Sequence, residues 1–229
     1  MGRELQRVTA TAMSRAGWSG YDAGWAQRAR QWWLEVRHLA DLAAVPETRV
    51  TGLAAMALQA GERPGGGPEA VELAQTATAA AMTEGAPPSL LSLLTAREAI
   101  GHTQVGDHPA ATSAIARARH WLDQGRRPDE PFWLSFYGPA DLAWHETRVG
   151  LLTRIGKAAE TAARTAVHSV DATSFPRNHL LYTVRFGLLL TQLGQFDEAI
   201  SVTRSAVQGC TRCAAPAGSS PICAAPLTC

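Results

Sequence analysis

Four cysteines, Cys210, Cys213, Cys223 and Cys229, crowd the last twenty residues, and four thiolates are the number a structural zinc ion requires. Cys210 and Cys213 form one close pair. Cys223 and Cys229 are separated by five residues among prolines and alanines, whereas zinc ribbons usually repeat the close pair. The tail has no periodic apolar face, which is the composition of a disordered segment, and GC-rich DNA translated out of frame after Gln208 would give the same text. No metal or cofactor is assigned to it.

Elsewhere the polar candidates sit on helical stretches. His145-Glu146 has the residue types of a metal or acid-base site, but no second histidine stands one turn away, and a helical metalloprotease motif requires one. Gly65-Gly66-Gly67 lacks the following Lys-Ser or Lys-Thr of a phosphate loop. No catalytic residue is assigned, so an enzyme is not expected. Arg97, Glu98 and His102 on one helix, with Asp141 and His145 on another, either line a groove or pair internally between stacked helices. Arg185, inside an apolar helix, has the same two readings. Trp133, Phe136 and Tyr137 lie in an irregular stretch from Pro128 to Pro139, where large aromatics can form the wall of a binding groove.

The elements that position these residues follow from a repeated pair of small residues. Gly24 precedes Ala29, Gly65 precedes Ala70, Gly106 precedes Ala111 and Gly194 precedes Ala199, each by five positions. Glycine ends one helix and alanine lets the next approach closely, so the pattern predicts antiparallel helix pairs in series. Apolar spacing predicts helices over 3–15 (closed by Gly17 and Gly20), 21–39, 50–60, 69–83, 89–105, 110–122, 141–155, 158–170, 178–193 and 196–207. On the second of these, Trp25 and Trp32 share a face and are expected to pack between helices. The fold class is all-α, an α-solenoid of about five antiparallel pairs over 1–208, with 209–229 as the tail.

Leu193-Gly194-Gln195-Phe196-Asp197-Glu198-Ala199-Ile200 resembles the hinge of a tetratricopeptide repeat, and Val105-Gly106-Asp107-His108-Pro109-Ala110-Ala111 is a weaker copy. Ala16-Gly17-Trp18 with Tyr21-Asp22-Ala23-Gly24, and Leu94-Thr95-Ala96-Arg97-Glu98-Ala99, are similar to segments in the tetratricopeptide-like C-terminal domains of actinomycete Xre-type helix-turn-helix regulators. The resemblance implies a sensing or interaction domain of a transcriptional regulator. The DNA-binding helix-turn-helix of such regulators is missing from this sequence, which reads as a fragment or a standalone relative.

A net charge of +1, with arginines dispersed among acidic residues, gives no basic field for nucleic acid. No apolar run reaches the ~18 residues of a membrane span, no secretory signal opens the chain, and the body lacks cysteine, so a cytoplasmic location is expected. The expected partner is a protein or peptide, or a small-molecule effector, held in the concave groove by Arg97, Glu98, His102, Trp133, Phe136, Tyr137, Asp141 and His145. A scaffold without a small ligand is the alternative, and a homodimer is compatible with either.

Overall fold

A computed structural model describes residues 2–153 and 156–213. Cys223 and Cys229 lie outside them, as does most of the tail. Among the described residues there are ten α-helices and no strand. They are α1 (Gly2–Asp22), α2 (Ala26–Ala43), α3 (Pro46–Glu62), α4 (Gly67–Thr83), α5 (Pro88–Gln104), α6 (His108–Asp123), α7 (Pro139–Leu152), α8 (Gly156–Ser169), α9 (Pro176–Gln192) and α10 (Phe196–Cys213). A single 3₁₀ turn, Phe132–Leu134, lies between α6 and α7.

The chain divides into two compact units, residues 1–135 and 136–229. In the first, each helix packs on the next from α1 to α6, and α3 also packs on α1 and α5. First helices of successive pairs therefore touch, as in a helical repeat. In the second unit α7 packs on α8, α8 on α9 and α9 on α10.

The small-residue hinges act as the spacing predicts. Gly24, Gly65, Gly106 and Gly194 have φ between +73° and +83°, a conformation glycine adopts without steric cost. The alanines that follow, Ala29, Ala70, Ala111 and Ala199, are all buried, and Ala159 of α8 occupies the same place in its pair. Proline sits in the first turn of α3, α4, α5, α6, α7 and α9, where its missing N–H costs nothing. Pro46 is the first residue of α3.

Gly17 and Gly20 do not end α1, which continues to Asp22. A Cβ on Gly17 would stand 2.3 Å from the indole nitrogen of Trp33, and one on Gly20 would stand 2.6 Å from the ring of Trp32. These glycines make room for α2 to lie against α1. Trp33, not Trp25, is the tryptophan at the centre of that contact: it is fully buried, with Trp18 edge-on at 5.3 Å and Tyr21 at 5.8 Å, whereas Trp25 is exposed. Toward the other end, α10 runs to Cys213, beyond the boundary at Val207 that periodicity suggested.

Candidate functional site

Arg97 and Glu98 are neighbours in sequence, so on a helix their side chains diverge by about 100° and meet different elements. Both are buried. The Arg97 guanidinium lies 6.0 Å from the ring centre of Trp18 on α1. Glu98 turns toward the second helices: its carboxylate accepts from Gln75 of α4 at 3.0 Å and from Arg117 of α6 at 3.0 Å. His102, one turn on, places Nε2 3.4 Å from the same carboxylate. Glu98 is thus the meeting point of α4, α5 and α6, which is the internal pairing rather than the groove reading.

Residues 126–134, which follow α6, are tied to the rest of the first unit by polar bonds. Ser89 Oγ donates to Glu130 at 2.8 Å, Arg126 pairs with Glu130 at 2.6 Å, and Arg127 donates to the Gly85 carbonyl at 2.9 Å. Leu134 is fully buried. Trp133 donates through Nε1 to Glu47 in the first turn of α3, at 3.3 Å. Between these anchors Phe132 is held out with 79% of its surface exposed. Phe132 falls in the same stretch from Pro128 to Pro139 but is not among the sequence-predicted site residues; its position beside Pro131, the N-cap of the 3₁₀ turn, is the available signal.

The other four candidates belong to the second unit. Phe136 is half-buried and meets Tyr137 edge-on at 6.4 Å. Tyr137 is 1% exposed, so it packs as a core residue and does not present a free wall. Asp141 and His145 are also buried, on one face of α7. His145 Nδ1 lies 2.8 Å from the Asp141 carbonyl; that oxygen only accepts, so Nδ1 carries the proton. The Asp141 carboxylate accepts from the Tyr182 hydroxyl of α9. Burial, reinforced by the Asp141 charge, pushes the Tyr182 phenol well above its ordinary range, so it stays protonated as the donor.

Two more residues complete this cluster. Trp144 stacks on Tyr182 with ring centres 6.0 Å apart and an interplanar angle of 20°, and the Arg185 guanidinium stands 4.8 Å from the Trp144 ring centre. Arg185 in its apolar helix therefore faces an aromatic ring. Asp141, Trp144 and His145 follow i, i+3, i+4 spacing, and Tyr182 and Arg185 follow i, i+3, so each set shares a helix face that was legible in the sequence. Their facing one another was not. The first unit contains a counterpart: Tyr21 of α1 donates to Glu62 of α3 at 2.5 Å, again between first helices of successive pairs and across the same separation of 41 residues.

Cys210 and Cys213 lie on α10, and the four-thiol reading involves residues outside those described. Among the described residues, no group of three or more His, Cys, Asp or Glu side chains is placed to hold a metal ion. No described helix is long and apolar enough to cross a membrane. Comparison with family models and with curated proteins finds no match to this chain.

Proposed function

We propose that this chain is a non-catalytic binding module of a transcriptional regulator and that it takes a protein or peptide partner at the aromatic turn of its first unit. The observation that carries the reading is Phe132: a large apolar side chain, almost wholly in water, on a turn fixed by Leu134 below and by the Trp133–Glu47 bond beside it. Ordering costs little when the anchor is already rigid, and exposed aromatics on rigid supports are typical centres of binding energy. The polar candidates Arg97, Glu98, Asp141 and His145 are buried and engaged with other residues of the chain, which favours a partner meeting this surface over a small effector deep among them. The regulatory role rests on the resemblance carried by residues 16–24 and 94–99.

The test is a photo-crosslinking amino acid at position 132 in an actinomycete host, with the same group at exposed Met82 as the control. A discrete protein adduct from position 132, absent from position 82 and lost on adding Trp133→Ala, supports the reading. Equal labelling from both positions, or none from position 132, overturns it.

A further inference from the structure

We propose that the outer face of α9 and α10 is a self-association surface, on which α10 packs antiparallel against α10 of a second copy of this chain. The starting point is a place every pair has, defined by the residues three before and one after the hinge alanine. Around Ala29 these are Ala26 and Arg30, and Gln59 of α3 bonds to both, to the Ala26 carbonyl at 2.6 Å and to the Arg30 guanidinium at 3.3 Å. Around Ala70 they are Gly67 and Val71, against which Gly101 of α5 lies so closely that a Cβ there would stand 2.7 Å from Val71 Cγ2 and 2.9 Å from the Gly67 carbonyl oxygen. Around Ala159 they are Gly156 and Glu160; Leu193 approaches the first, and Gln195 donates to the second at 3.0 Å. In each of these three pairs the next pair reaches the place, although Ala26 itself stays exposed; around Ala111 the residues are His108 and Thr112, both exposed and both polar.

Around Ala199 the corresponding residues are Phe196 and Ile200, which are 61% and 57% exposed. They are larger and more apolar than the residues at the three covered places, apart from Val71. Helical spacing puts Thr203 and Val207 on the same stripe of α10, next to the buried flank of Ala199 and Ala206. Gly187 of α9 abuts Thr203, and Val184 and Leu188 continue the apolar surface across that seam, away from the buried Phe186, Leu189 and Leu190.

Charge selects the occupant. Asp197 and Arg204 lie two turns apart on the exposed flank of the stripe, both open to solvent. When two copies of α10 are related by a two-fold axis near Ile200 and Ser201, like flanks adjoin and the helices run opposite ways, so each Asp197 faces the second copy's Arg204. Such an interface is isologous and self-complementary. The apolar side chains of both copies then form its centre, with two ion pairs at its rim; a stable interface needs about 1,000 to 1,200 Å² in total.

The experiment is sedimentation of the full chain with reductant present, over concentrations up to about 0.1 mM, which reaches even weak association. The parent should sediment as a dimer. Asp197→Arg alone and Arg204→Asp alone each set like charges opposite one another and should weaken the dimer at least about tenfold. An equimolar mixture of the two variants places an arginine opposite every aspartate and should recover dimers at the parent's affinity. Ile200→Asp should give monomers with an unchanged helical spectrum. A parent that stays monomeric, single variants that dimerise as the parent does, or a mixture that fails to recover, overturns the proposal; a further helix or a foreign protein would then be the occupant.

Discussion

The Tyr182 hydroxyl on α9 donates to the Asp141 carboxylate on α7, and both groups are buried. One hydrogen bond thus joins the first helices of the last two pairs. Tyr182→Phe removes the donor and leaves a carboxylate with one fewer partner. We expect a loss of about 1 to 3 kcal/mol, as for other buried groups stripped of a bond to a charge, measured by urea denaturation. A change under ~0.5 kcal/mol would mean that other groups satisfy Asp141 fully.

At Gly101 α5 lies close against α4, with Val71 N 2.8 Å from the position a Cβ would take. Backbone atoms cannot swing aside as a side-chain tip can, so Gly101→Ala should force the two helices apart. The expected cost is about 1 to 3 kcal/mol, despite alanine's better helix propensity, and should appear as a lower melting temperature.

Arg164 of α8 donates to Glu160 at 2.9 Å and to Glu198 of α10 at 2.6 Å, and this holds both carboxyls below their ordinary range. A carboxylate depressed in the folded state stabilises it fully above the ordinary value of 4.5 and loses that contribution as pH falls through the lower, folded value. Stability should therefore fall on acidification across that window, and less steeply in Arg164→Met. The groups are partly exposed, so salt should narrow the difference between the two proteins. Denaturation midpoints between pH 7 and pH 3, at low and high salt, measure it.

Phe132 and Tyr137 are five residues apart in sequence and opposite in burial. Phe132→Ala should leave the melting temperature within a few degrees of the parent, because its ring contributes little buried area. Tyr137→Ala should cost about 3 to 5 kcal/mol, the range for truncating a large core aromatic. Comparable melting shifts for the two variants would contradict this placement.

The sequence by itself determined the helix pairs, because the signals that make them are local. A glycine with positive φ and an alanine five residues on specify a hinge and a close contact wherever they fall, and a proline in the first turn marks a start. Face-sharing sets such as Asp141, Trp144 and His145 were equally readable, since they depend only on the helical period. What these faces meet depends on neighbours remote in the chain. Gly17 and Gly20 have the composition of a helix stop; only the arrival of Trp33 and Trp32 from α2 makes them packing sites within a continuous helix. Glu98 became an internal fastener once Gln75 and Arg117 were brought to it, and Tyr137 became core while Phe132 was left in water. Spacing along one helix fixes direction, but burial is a property of everything packed around it, and that is decided only when the pairs assemble.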